Sequence, residues 1–368
     1  MLIGIDGNEA NVEKRVGIGE YAYQLLSQFS KLTGQDIKFL IYLKEKPRKD
    51  LPEESKAWRY RVIKPGKLWT QWRLPLDLFL HTPRPDVFFS PSHYAPRFSP
   101  VPTIISVMDL SYVYFPELFQ KKDLMQLRSW TAYSIKNAKK VLTISNSSKN
   151  DIIKEYNIPS NKVVVTHLGI KKAINLSPHI YSMNELKTKY GLSNNFVLFV
   201  GTLQPRKNIS RLIEAFSKVK DLDLVIIGRK GWLYEDILET PKKLGIEDRV
   251  KFLENIGDDE LPLFYKNAIM FVFPSLYEGF GLPVLEAMKY GCPVITSNVS
   301  SLPEAGGDAV LYVNPEDVDD IVRKMKELVN DKKLREKLVK KGYDQVKKFS
   351  WEKTARETLK VLEEVVNK

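Results

Sequence analysis

Residues 273–286 read Phe273-Pro274-Ser275-Leu276-Tyr277-Glu278-Gly279-Phe280-Gly281-Leu282-Pro283-Val284-Leu285-Glu286. An apolar run ends at Phe273–Pro274, as a buried strand would. Gly279 and Gly281 then let backbone N–H groups come close to a ligand, and Pro283 suits the first turn of a helix. Strand, glycine turn and helix in immediate succession form the repeating unit of a parallel, doubly wound sheet. The helix amino end, with its unpaired N–H groups, is a natural seat for a diphosphate.

The same cycle runs outward in both directions. Before this stretch, strands are expected at 196–201, 224–228 and 250–253, and after it at 293–297 and 309–313. Seven more are expected in the first half, at 2–6, 37–43, 58–64, 87–92, 103–109, 141–145 and 163–168. Helical spacing lies between them: Ala22, Leu25, Leu26 and Phe29 share one face. Residues 169–195 are less regular and rich in Lys, Asn and Ser, and read as a linker. The chain is therefore α/β, with two Rossmann-like doubly wound domains. In such sheets ligands bind at the carboxyl ends of the strands, so a cleft faced by both sheets is expected.

Composition fits two domains of ordinary size. The chain has 368 residues, 43% hydrophobic and 28% charged. The single cysteine, Cys292, precludes an intramolecular disulfide, and its apolar neighbours favour packing over nucleophilic chemistry. The amino terminus shows no basic and apolar leader, and no apolar run approaches the roughly 20 residues that span a bilayer. A cytoplasmic location is expected. The net charge of +12 is uneven. Residues 1–180 hold 27 Lys and Arg against 16 Asp and Glu, whereas residues 181–368 hold 30 against 29. A basic half suggests an anionic partner.

Two carboxylates are offered by the opening stretch. Glu278, on the loop, can accept hydrogen bonds from sugar hydroxyls. Glu286, about one turn into the helix, can grip both hydroxyls of a ribose. Gly279, Phe280, Gly281 and Leu282 form the turn that would approach a ligand. A second constellation, Val200-Gly201-Thr202-Leu203-Gln204-Pro205-Arg206-Lys207-Asn208, puts Arg206 and Lys207 in another strand-end loop. A guanidinium fork and an ammonium there would neutralise a diphosphate and help it leave. A third, Arg15-Val16-Gly17-Ile18-Gly19-Glu20-Tyr21, offers backbone N–H groups at Gly17 and Gly19. No metal centre is expected: His81, His93, His167 and His179 lack ligand spacing, and Asp221-Leu222-Asp223 precedes its strand and reads as solvated.

The segments 201–208, 227–232, 274–291 and 297–304 together resemble retaining glycosyltransferase family four, most specifically over 273–286, and within it the bacterial mannosyltransferase-like branch. The resemblance implies a GT-B fold, with an acceptor-side first domain (1–180), a donor-binding second domain (181–351) and a final helix (352–368) packed back on the first. It implies a hexosyltransferase whose nucleotide-diphosphate donor is held by Arg206 and Lys207 at the diphosphate, Glu278 at the sugar and Glu286 at the ribose. No metal cofactor is implied. GDP-mannose is the expected donor, with UDP-glucose or another UDP-hexose as the alternative, and the acceptor is a glycan or lipid-linked glycan.

One departure stands out. The family commonly places His-Asp after the strand that here reads Ile104-Ile105-Ser106-Val107-Met108-Asp109. Asp109 is present, but Met108 replaces the histidine, and a thioether neither titrates nor donates. Asp109 and His93 are the acceptor-side candidates. Two rival readings are a GT-B sugar-nucleotide epimerase, which needs an acid–base set at the sugar, and a two-domain solute-binding protein, which normally needs an export signal.

The basic half also carries Lys67-Leu68-Trp69-Thr70-Gln71-Trp72-Arg73, where aromatics sit beside cations, and a helical run with Lys121, Lys122, Arg128, Lys136, Lys139 and Lys140. Both suggest peripheral contact with an anionic membrane on its inner face. No nucleic-acid-binding motif accompanies the charge.

Overall fold

The computed structural model describes every residue except 34–35, 172–182, 193–194, 258 and 368. The chain divides into two compact units, Met1–Gly169 with Ser350–Lys368, and Ile170–Phe349. The division thus falls earlier than residue 180; the 180/181 boundary and His179 lie outside the described residues.

The first unit is built on a seven-stranded sheet: β1 (Leu2–Asp6), β2 (Lys38–Leu43), β3 (Trp58–Val62), β4 (Val87–Ser90), β5 (Thr103–Ser106), β6 (Lys140–Thr143) and β7 (Val163–Val165). Its order is β3-β2-β1-β4-β5-β6-β7, and every pairing is parallel. Ile3, Ile5, Phe88, Phe89, Ile104 and Ile105 are fully buried, because helices cover both faces of such a sheet. The helix Ile18–Phe29 turns Tyr21, Ala22, Leu25, Leu26 and Phe29 inward, the face that the spacing predicts. The final helix, Trp351–Val366, packs against it, with Tyr21 and Trp351 rings 6.4 Å apart. Ser350 caps that helix through Lys353 N–H, and Thr354 Oγ1 donates to the His167 carbonyl. A Cβ on Gly169 would stand 2.1 Å from the Trp351 nitrogen, so only glycine lets the two segments meet.

The second unit carries β8 (Phe196–Val200), β9 (Asp223–Ile227), β10 (Val250–Leu253), β11 (Met270–Phe273), β12 (Val294–Ser297) and β13 (Leu311–Val313), in the order β10-β9-β8-β11-β12-β13, again all parallel. Each sheet reverses its strand order once, between β1 and β4 and between β8 and β11. Loops at the carboxyl ends of those strand pairs splay apart and leave room for a ligand.

Four sequence expectations need correction. Part of the supposed linker is a helix, Met183–Tyr190: Leu186 is fully buried, and Lys189 and Tyr190 reach Glu260 at 2.6 and 2.9 Å. Asp223 opens β9 and is buried, whereas Asp221 is exposed as expected. The basic helix ends at Asn137; Lys139 lies beyond it, and Lys140 starts β6 with its Nζ on the Asn161 carbonyl. Trp69 is buried, its Nε1 donating to the Ile63 carbonyl at 3.2 Å, so only Trp72 of that aromatic pair faces solvent.

Cys292 is buried and its thiol pushed well up by burial, as befits a packing residue. Among the described residues, no helix is long and apolar enough to cross a membrane.

Candidate functional site

In the second unit, the loops that follow β8 and β11 flank the reversal of strand order. Pro205–Lys207 form a single 3₁₀ turn after β8, and Asn208, at φ 60°, swings the chain into the helix Ile209–Ser217. Asn208 Nδ2 donates to the Pro274 and Pro315 carbonyls at 3.0 and 2.6 Å. Leu276 N–H donates to the Arg206 carbonyl at 2.9 Å, and Arg206 returns a hydrogen bond to the Tyr277 carbonyl. The two loops are therefore sewn together along their length.

This stitching sets the three expected polar side chains in one cluster. Lys207 Nζ lies 2.5 Å from Glu278 Oε1, and Arg206 lies 3.2 Å from Oε2, with all three side chains largely buried. Lys207 also sits over the Phe273 ring, 4.9 Å from its centroid. Burial alone would push the Glu278 carboxyl up, but Lys207 and Arg206 outweigh it and hold its pKa below the ordinary value. The sequence suggested a division of labour, with cations for one group and Glu278 for another. The structure instead makes one carboxylate the counter-ion of both cations.

The backbone of Glu278 is fixed from a third strand end. Ser300 and Ser301, after β12, donate to its carbonyl at 2.7 and 2.8 Å, and its N–H reaches Ser300 Oγ at 3.2 Å. Gly281, at φ 109°, then caps the helix Leu282–Lys289. A Cβ there would meet Leu302 Cδ2 at 2.9 Å, so both the left-handed backbone and the space demand glycine. Gly279 is buried, and Phe280 turns inward against Phe349, with ring centroids 5.3 Å apart. Leu282 and Glu286 are half-buried on that helix. Tyr265 donates to Glu286 Oε2 at 3.3 Å and is itself fully buried.

The comparisons with known proteins bear on this arrangement. Residues 16–173 match the model described as Glycosyltransferase Family 4, and residues 183–345 the model described as Glycosyl transferases group 1. The O-antigen chain mannosyltransferase B of Escherichia coli is 33% identical over 307 residues, covering 82% of this chain and 78% of that protein. The chain is a family-four glycosyltransferase. A second relative, the O-antigen chain mannosyltransferase RfbU of Salmonella typhimurium, is 33% identical over 214 residues, 58% of this chain and 57% of that one.

Solved structures agree on the fold. Sucrose-phosphate synthase from Thermosynechococcus elongatus superposes with a TM-score of 0.73 at 20% identity, covering 99% of this chain and 98% of that one. The Anabaena protein HepE, solved with UDP-glucose, gives 0.73 at 17% identity and 99% of each chain. The glycosyltransferase is thus a GT-B enzyme, with two Rossmann-like parallel-sheet units, and a hexosyltransferase by its relatives.

In the first unit of this glycosyltransferase, the remaining candidates gather where its own sheet reverses. Gly17 is exposed, at φ 52°, and starts the helix Ile18–Phe29; Gly19 is buried, and a Cβ there would come 3.0 Å from the Glu9 carbonyl. His93 follows β4 and Asp109 follows β5, whose ends are joined by Ser106 N–H donating to the Ser92 carbonyl at 3.3 Å. Burial pushes the His93 pKa down, opposed by nearby Asp109, so the ring is neutral near pH 7. Its Nδ1 is buried without a hydrogen-bond partner, and its edge meets Tyr112. Asp109 accepts from Ser111 N–H at 2.8 Å, and Met108 is half-buried.

Sequence reasoning missed Tyr265, Ser300, Ser301 and the carboxyl pair Asp6 and Glu9. Burial raises both carboxyls of that pair, and Asp6 pushes Glu9 up further. Asp6 had a signal, a charged residue closing an otherwise apolar strand. Tyr265 had none, because its partner lies 21 residues away on another helix. Among the described residues, no group of three or more His, Cys, Asp or Glu is placed to hold a metal ion.

Proposed function

We propose that this glycosyltransferase moves mannose from GDP-mannose, with retention of anomeric configuration, to a glycan or lipid-linked glycan acceptor. The observation that carries the proposal is the Arg206–Lys207–Glu278 cluster at the carboxyl ends of β8 and β11, beside a glycine-capped helix that presents Glu286. Its relatives that are named mannosyltransferases support mannose, and the UDP-glucose bound by HepE keeps a UDP-hexose as the second donor to test.

The donor's diphosphate would replace Glu278 as the counter-ion of Lys207 and Arg206. Glu278, released, would accept hydrogen bonds from the sugar, while Glu286, steadied by Tyr265, holds the ribose diol. The C1–O bond to the β-phosphate breaks as the acceptor oxygen bonds C1 on the same face. The acceptor's proton passes to the departing phosphate oxygen, whose charge Arg206 and Lys207 stabilise. Gly17 and Gly19 contribute backbone N–H groups to the donor, and His93 and Asp109 serve the acceptor. Catalysis rests on charge and positioning and needs no divalent ion.

The enzyme would work in the cytoplasm, with its basic first unit against the anionic inner face of a membrane. Turnover by enzyme stripped with EDTA tests the metal-free reaction: activity is expected to persist, and complete loss restored by Mg²⁺ or Mn²⁺ would count against it. Arg206→Ala is expected to lower kcat more than it raises KM. A change in KM alone would remove Arg206 from the departure step.

A further inference from the structure

The first unit exposes an apolar face that the folded core does not use. After β3 the chain makes a π-helical turn, Trp69–Arg73, which runs directly into the helix Leu74–Leu80. One side of this continuous segment is core: Trp69, Leu74 and Leu78 pack with Tyr42, Ile63, Phe88 and Val101. The opposite side carries Leu68, Trp72, Leu76, Phe79 and Leu80 to solvent, with Trp72 67% and Leu80 71% exposed. Phe98, 71% exposed, extends the patch, because its neighbour Arg97 donates its backbone N–H to the Thr70 carbonyl at 3.2 Å. A soluble helix places its apolar stripe on the core side and polar residues outside. This one is apolar on both sides.

The rim of the patch is cationic. Lys64, Lys67, Arg73, Arg84 and Arg97 all lie in or beside the segment. Arg73 and Arg84 are folded onto the Lys64 and Phe79 carbonyls, at 2.5 and 2.7 Å, which keeps their charge close to the apolar face. The one acid on the helix, Asp77, is already engaged by a two-pronged contact from Arg61 at 2.6 and 2.8 Å. An apolar band with Trp at its centre and unopposed cations at its edge is complementary to a bilayer interface that carries acidic headgroups.

We infer that the segment Leu68–Leu80, with Phe98, is an interfacial anchor that inserts its apolar face into an anionic bilayer. The inference rests on the proposal that the basic unit meets a membrane, and adds that the seat is hydrophobic and local. Docking by scattered charge alone would fade with salt, whereas an inserted Trp, Phe and Leu face keeps binding once the headgroup attraction is screened.

The full-length protein is floated with vesicles of phosphatidylglycerol and phosphatidylcholine, or of phosphatidylcholine alone, at low and high salt. Wild type is expected to bind the anionic vesicles, with a fraction surviving high salt. The triple variant Trp72→Ser, Phe79→Ser, Leu80→Ser should lose binding at least tenfold at high salt, with an unchanged thermal midpoint because these side chains are outside the core. The charge variant Lys64→Gln, Lys67→Gln should lose only the salt-sensitive part of its binding, so that at low salt it binds no more than the fraction that wild type keeps at high salt. Undiminished binding by the triple variant would overturn the anchor and leave charge-driven docking standing. No binding of wild type to either vesicle would overturn both. Wild-type association into dimers that the triple variant abolishes, without vesicle binding, would reassign the face to a second copy of the chain.

Discussion

The ammonium of Lys207 lies 2.5 Å from Oε1 of Glu278, and each side chain retains only about 10% of its exposure. Removing one partner of a buried pair leaves an uncompensated charge, at a cost of about 3–5 kcal/mol. Arg206 stays close to Glu278, so Lys207→Ala should fall toward the lower figure. Urea unfolding of Lys207→Ala, Glu278→Ala and the double variant measures their coupling. It should exceed about 1 kcal/mol; strictly additive losses would mean that the contact contributes nothing to the fold.

Stability should depend on pH through the same carboxylate. The folded-state pKa of Glu278 is depressed below its ordinary value of 4.5. Its contribution is therefore complete above that value and is lost as pH falls through the lower folded-state pKa. Unfolding free energy of the wild type should drop more steeply below pH 4.5 than that of Glu278→Gln. Parallel acid limbs in the two proteins would contradict the depressed pKa.

Glu286→Ala should weaken donor binding by about 1.5–3 kcal/mol, the value of a hydrogen bond to a charged group. Tyr265→Phe removes only the 3.3 Å contact that steadies Glu286, and should cost about 1 kcal/mol. Calorimetric titration with the nucleotide sugar separates them. Unchanged affinity in Glu286→Ala would sink the ribose assignment.

Much of the fold was legible because both sheets are parallel and buried on both faces. Each strand announces itself as a continuous apolar run, and the thirteen expected runs correspond to β1–β13 within a few residues at their ends. The ends were less legible: the run expected to reach Asp109 stops short of it, since the pairing of β5 with β4 ends at Ile105 and with β6 at Ser106. The stretch 67–73 was legible as aromatic and basic, yet which tryptophan is buried depends on packing against Ile63 and, farther along the chain, Phe88. The site's residue types could be read from the 206–208 and 273–286 stretches. Their mutual pairing could not, because Lys207 and Glu278 meet only through the adjacency of β8 and β11.

Gly281 tests whether the turn that opens the helix Leu282–Lys289 is conformationally fixed. At φ 109°, with Leu302 Cδ2 2.9 Å from any Cβ, alanine is strained twice over. Gly281→Ala should lose about 1–3 kcal/mol of stability and weaken donor binding in step. A stabilised Gly281→Ala protein in thermal unfolding would show that the loop can rearrange freely.

The most direct measurement gives the purified enzyme GDP-mannose or UDP-glucose together with a lipid-linked glycan acceptor. Nucleotide release is followed, and the anomeric configuration of the product is read by NMR. GDP-mannose should support transfer, with release of GDP and an α-mannosidic product, and UDP-glucose should support little. A β-linked product, transfer from UDP-glucose alone, or an epimerised sugar nucleotide with no transfer would contradict the proposed reaction.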